Sequence, residues 1–94
     1  MIRSYRDSET ATFAAGEKSR KWESFRRQAE KRLRILGAAT SLGDLAALNS
    51  NRLEGLQGNR KGQYAIRIND RWRICFEWPK GAAGPSNVEI VDYH

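Results

Sequence analysis

The chain has 94 residues, 39% hydrophobic and 30% charged, with 17 Lys and Arg against 11 Asp and Glu, a formal net charge of +6 and a pI near 10.0. That composition allows one globular domain, residues 1–94, with a single modest core, and excludes two domains or a disordered chain. One cysteine and one histidine exclude an internal disulfide and a Cys/His zinc cage, so no metal or cofactor is expected. The basic balance favours an anionic partner, and composition leaves nucleic acid and an acidic protein segment both open.

No stretch approaches a membrane span, and no signal peptide is expected ahead of the fold, so the expected location is the cytoplasm. Ile2 to Tyr5 alternates and is expected to form a short first strand. Asp7-Ser8-Glu9-Thr10 predicts a helix start with acidic residues in its first turn, where the macrodipole favours them. That helix should be short and end near Gly16. In "RKWESFRRQAEKRLRIL", Trp22, Phe25, Ala29, Leu33 and Leu36 recur at three- and four-residue steps, which predicts a second, amphipathic helix. Arg26, Arg27, Lys31 and Arg34 lie mostly off the stripe, and Gly37 is placed to stop the helix. "TSLGDLAALN" predicts a short helical turn capped by Thr40 or Ser41.

From Asn51 the period changes to two. Leu53 and Leu56 bracket a short strand carrying Glu54, and "GNRKG" reads as a turn rich in glycine and positive charge. Tyr64, Ile66 and Ile68 form one alternation, and Trp72, Ile74, Phe76 and Trp78 a second. After the loop "PKGAAGPSN", Val88 and Ile90 mark a last strand. A two-residue turn at Asn69-Asp70 would set Ile66 beside Arg73. A three-residue loop or bulge pairs Ile68 with Trp72 and Ile66 with Ile74, and makes Arg67 and Arg73 neighbours on the opposite face. The bulged version gives the sheet one consistent apolar face. The expected class is α+β: two N-terminal helices packed on a small, mostly antiparallel sheet with a basic outer face.

Among the polar residues, the helical cations suit a solvated face, and Arg60-Lys61 suits either an exposed turn or a phosphate clamp. Glu54 suits a structural ion pair unless a site surrounds it, and Trp72 and Trp78 suit packing better than base stacking. Arg73 stands out, because a guanidinium in mid-strand needs an anionic partner or a wet concave face. The run "VEIVDYH" ends in three groups able to carry protons. Metal-free RNA cleavage through the 2′-hydroxyl needs a base, cations for the pentavalent phosphorane and an acid for the departing 5′-oxygen. Asp92, Glu54, Tyr93 and His94 offer proton carriers, and Arg73 offers a fixed planar cation. An imidazole with an ordinary pKa near ~6.5 serves in either protonation state near neutrality.

"GNRKGQYAIRINDRWRICFEW" followed by "VEIVDYH" resembles the HigB group of the RelE/ParE toxin superfamily, and "MIRSYRDSET" and "GAATSLGDL…NRLEGL" extend the likeness over nearly the whole chain. The resemblance implies a RelE-like microbial ribonuclease fold and a toxin of a type II toxin–antitoxin module that cuts mRNA in the ribosomal A site. It implies a HigA-type helix-turn-helix antitoxin as partner, with operator DNA reached only through that antitoxin. It maps the family's C-terminal Asp-Tyr-His onto Asp92, Tyr93 and His94 and its strand arginine onto Arg73. Glu54 and Gln57 stand where some members have a histidine and a lysine, so one proton carrier changes type and one cation is lost. On this reading His94 is the general acid, Asp92 or Glu54 the base, and Tyr93 orients or stacks on the scissile nucleotide. Arg26, Arg27 and Lys31, with Arg60, Lys61 and Arg67, would bind RNA of the 70S ribosome and its message. The end of the chain is thus expected to belong to the active site. The alternative from another class is a non-enzymatic inhibitor of a protein target such as DNA gyrase, as in the ParE branch.

Overall fold

The computed structural model describes residues 1–92; Tyr93 and His94 lie outside the described residues. Asp7 starts the first helix, α1 (Ser8–Ala14), by accepting the Thr10 N–H at 2.6 Å, which satisfies one of the orphan donors of the first turn. Gly16, at φ +103°, turns the chain out of it. The buried Thr10 hydroxyl accepts the Ile90 N–H at 3.4 Å and so ties this helix to the last strand.

The second helix begins later than its apolar stripe suggests. Glu23–Phe25 is a single 3-10 turn, and α2 spans Arg26–Ala38. Upstream, the Ser19 hydroxyl accepts the Trp22 N–H at 3.2 Å, and the Glu23 carboxylate accepts the Ser19 N–H at 3.1 Å. Local side-chain bonds of this kind compete with helix, so Trp22 reaches the core from a turn. Gly37 does not stop α2, which runs on to Ala38; Ala39 leaves it in an extended conformation. The expected helical turn is a third helix, α3 (Leu42–Ala47). Ser41 caps it by accepting the Asp44 N–H at 3.2 Å, and the Asp44 carboxylate reaches back to Thr40.

Four strands follow: β1 (Glu54–Gly55), β2 (Gln63–Arg67), β3 (Trp72–Glu77) and β4 (Ser86–Asp92), antiparallel in that order. Ile66, Ile68, Ile74, Phe76, Val88 and Ile90 turn one face of the sheet onto Phe13, Trp22, Ala29, Leu33, Leu36 and Leu45. Leu56, Ala65 and Cys75 make a small separate cluster with Val91 on the other face. Buried Asn51 links the layers, donating to the Leu45 carbonyl at 3.0 Å and accepting from Arg32 of α2 at 2.8 Å. No described helix is long and apolar enough to cross a membrane.

The expected first strand is a single parallel bridge, Tyr5 to Val88, flanked by Arg3 N–H to Pro85 O at 2.8 Å and Arg6 N–H to Val88 O at 3.0 Å. The ladder stops there because the chain turns into α1 at Asp7. This N-terminal segment crosses buried Gly84 so closely that a Cβ there would fall on the Met1 carbonyl. Gly84→Ala should therefore lower stability by about 1–3 kcal/mol, the usual range for forcing volume into a filled site. Denaturant unfolding of the variant against wild type measures it, and an unchanged midpoint would mean that the segment yields freely.

Candidate functional site

The β2–β3 hairpin closes through a three-residue loop, residues 69–71. The Asn69 side chain accepts the N–H groups of both Arg71 and Trp72 at 2.9 Å, and the Ile68 N–H meets the Trp72 carbonyl at 3.0 Å. Ile66 then opposes Ile74, and Arg67 opposes Arg73. The bulged register expected from the alternation is the one observed. Two half-buried arginines lie side by side on the sheet face turned away from the helices. Arg67 pairs with Asp70, and Arg73 donates to the Asn69 carbonyl at 2.5 Å and the Trp72 carbonyl at 3.2 Å. The loop thus braces both guanidinium groups.

One row further along the same face, the register runs Glu54, Ala65, Cys75, Glu89 across all four strands. Glu54 is exposed on two-residue β1. Arg60, from the turn after β1, reaches over this row to Gln63 at 3.0 Å and Glu89 at 3.1 Å, while Lys61 stays exposed beside it. Cys75 reports the field between these groups. Burial pushes its thiol from 9.0 up to about 11; Arg60 and Arg73 draw it down, while Glu89 and Glu54 push it higher. Arg73, Glu54 and Arg60, chosen from the sequence, therefore meet on one face.

Asp92 sits differently. It opposes Trp72, while its neighbour Val91 opposes Arg73, so the pleat turns Asp92 toward the helix side of the sheet end. There it accepts from Arg71 Nη2 at 2.7 Å and Nε at 2.8 Å, and this hydrogen bond raises the guanidinium's pKa. The assignments to Tyr93 and His94 lie outside the described residues. The helical cations are on the far side of the sheet from Arg73. Arg27 and Lys31 are exposed there, whereas Arg26 is consumed internally: it meets Glu23 at 2.8 Å and Glu30 at 3.0 Å, and lies 4.1 Å from the Phe13 ring centroid. Trp72 stacks on Phe25 with ring centroids 5.5 Å apart, and Trp78 donates to the Ala82 carbonyl at 3.1 Å, so both are packing residues. Among the described residues, no three His, Cys, Asp or Glu side chains gather as metal ligands.

Glu89, Arg6 and Arg71 escaped the sequence reading. For Glu89 a signal existed, since it alternates with inward Val88 and Ile90 and so shares the face of Arg73. For Arg6 there was none, because it follows the N-terminal alternation and precedes the helix cap.

Two crystal structures of YafQ from E. coli, one of a mutant and one from strain BL21(DE3), superpose with TM-scores of 0.57 and 0.58, cover 94% of this chain and 89% of theirs, and are 12% identical to it, a likeness of fold alone. The family model of the RelE-like toxin of the type II toxin–antitoxin system HigB matches residues 3–94, and the chain belongs to that HigB-like toxin family. It is 43% identical to "Toxin HigB-1" of Vibrio cholerae over 53 residues, 56% of each chain. It is 36% identical to "Endoribonuclease HigB" of Proteus vulgaris over 63 residues, 67% of this chain and 65% of that one. The chain thus spans between about half and two thirds of the length of these relatives.

The Cys75 thiol supplies a pH test of the face. A folded-state pKa raised from 9.0 to about 11 favours folding at pH values below 9, and that contribution is lost as pH rises from 9 through 11, because the unfolded chain ionises first. Wild type should lose more stability between pH 8 and 10.5 than Cys75→Ala does, measured by paired denaturant titrations. Parallel loss in both proteins would mean that the thiol ionises freely in the fold.

Proposed function

We propose that this protein is the toxin of a type II toxin–antitoxin module and cuts mRNA on the 70S ribosome as an endoribonuclease. The observation that carries the reading is that Arg67, Arg73 and Glu54 share the open face of the sheet, in adjacent rows. Cleavage runs through the RNA's own 2′-hydroxyl. Glu54 takes the 2′-proton; the oxygen attacks phosphorus, and the 5′-oxygen leaves with a proton from His94, giving a 2′,3′-cyclic phosphate and a 5′-hydroxyl end. Arg73, with Arg67 beside it, faces the charge that builds on the phosphorane, a braced planar cation in a half-buried position. Tyr93 orients or stacks on the scissile nucleotide. Of the two candidate bases Glu54 is favoured, because it shares the face of Arg73 while Asp92 is engaged by Arg71.

The protein works in the cytoplasm, and a HigA-type helix-turn-helix antitoxin neutralises it and carries the operator-DNA contact of the pair. Exposed Arg27 and Lys31 dock on ribosomal RNA, and Arg60 and Lys61 line the message. Arg26 is left out of that surface, since its guanidinium holds α1 and α2 together.

Arg73→Ala and His94→Gln should each reduce cleavage on programmed ribosomes by ~10²–10⁴-fold while circular dichroism stays native. The pair should be less than additive, since both serve one transition state. Full activity in either would remove that residue from the mechanism, and DNA damage without cut messages in cells would point to a gyrase-type target instead. Separately, Arg27→Glu with Lys31→Glu should weaken co-sedimentation with ribosomes at low salt, and the deficit should shrink as salt rises, because the variant's salt dependence is shallower. Unchanged co-sedimentation would return that helix face to simple solvation.

A further inference from the structure

Glu89 is a buried carboxylate that the cleavage scheme does not use. Only 8% of it is exposed, and its Oε2 atom meets Arg6 Nε at 3.3 Å and Arg60 Nη1 at 3.1 Å. One guanidinium would neutralise it. The second leaves a surplus positive charge, and the two side chains keep 51% and 39% of their surface exposed. Two guanidinium groups repel at such range unless an anion lies between them. They arrive from unrelated segments: Arg6 on the N-terminal run bonded to Val88, Arg60 on the turn after β1, steadied by Gln63. Since both lie within 3.3 Å of the same oxygen, Arg60 by a hydrogen bond and Arg6 as an ion pair, they stand near enough for one phosphate to bridge them from the solvent side. Glu89 and Val91 lie on one face of β4, and Val91 opposes Arg73. Glu89, on which the pair converges, is therefore offset from Arg73 by roughly 6–7 Å along the strand direction, comparable with the step between successive phosphates of an extended single strand. Cys75, opposite Glu89, feels Arg60, Glu89, Glu54 and Arg73 together, which sets all four in one local field.

We propose that Arg6 and Arg60 clamp an RNA phosphate flanking the scissile one, with Glu89 as the positioning residue that keeps both guanidinium groups on the open face. This rests on the ribonuclease reading above. The clamp binds substrate and transition state alike, so it acts on KM rather than kcat. Glu89 performs no proton transfer.

Cleavage kinetics on programmed ribosomes separate this from a structural ion pair. Arg6→Gln should raise KM about ten-fold, the lower end for losing a hydrogen bond to a charged group, with kcat nearly unchanged and the salt slope of binding reduced by about one. Glu89→Gln makes the protein more positive, so simple attraction would lower KM; the clamp requires KM to rise. Denaturant unfolding checks that each variant is folded, and Arg6→Gln carries the test if Glu89→Gln fails to fold, because the Arg6 side chain is half-exposed and its backbone bond is kept. An unchanged KM and salt slope in Arg6→Gln, or a lowered KM in folded Glu89→Gln, would overturn the clamp. A single-stranded oligoribonucleotide methylated at its 2′-oxygens serves as a binding probe independent of cleavage. Weaker binding by Arg6→Gln supports the clamp and equal binding counts against it, whereas an inactive wild type would count against the ribonuclease reading alone.

Discussion

The loop at residues 69–71 sets the pairing of β2 with β3, and that pairing decides which side chains share a face. With Asn69 accepting two consecutive N–H groups, the loop has three residues and Arg67 falls opposite Arg73. A slip of one residue would carry Arg73 to the helix side, where a guanidinium among Ile66, Ile68 and Trp22 would be buried without an anion, and would turn Ile74 out to the open face. The apolar core and the cationic face are thus two consequences of one register. Burial of Ile66, Ile74 and Phe76 enforces it from one side, and the loop's side-chain bonds enforce it from the other.

The parts of this arrangement that depend on period alone were legible in the sequence. Alternation in β2, β3 and β4 gave the inward residues, and it gave Arg67 and Arg73 as neighbours once a consistent apolar face was required. Elements that depend on specific side-chain bonds were not legible. Trp22 and Phe25 fit a helical stripe, yet Ser19 and Glu23 hold the backbone before Arg26 in turns, and no periodicity encodes that competition. Gly37 looked like a stop because glycine favours helix ends, but α2 continues past it for another residue. The first strand failed for a different reason: a helix cap at Asp7 cut short a ladder that had barely begun.

Electrostatics on the open face follows from sharing one low-polarity floor. Leu56, Ala65, Cys75 and Val91 form it, and charged groups stand around its rim. Beside such a floor, charges are less screened than in free solution, which is why the thiol at its centre is displaced upward by burial while still feeling four charged neighbours. The cations at the rim need anions to remain there in the free protein. Glu89 supplies one, Asp70 another, and loop carbonyls supply partial negative charge to Arg73. An incoming polyanion can add to such a network without first assembling it, and this lowers the ordering cost of binding.

A net charge of +6 therefore says less about the partner than the placement of individual charges does. Arg26 joins α1 to α2, Arg32 anchors buried Asn51, and Arg71 holds Asp92 at the end of β4; these three stabilise the fold whatever the protein binds. Two of the surfaces that carry further cations lie on opposite sides of the sheet. One is the solvent side of α2 with Arg27 and Lys31, and the other is the open face around Arg73. A polyanion that merely coated a basic protein would need no such division. A partner that surrounds the domain on two sides would use both, with long-range attraction acting through α2 and short-range orientation through the braced guanidinium groups of the sheet.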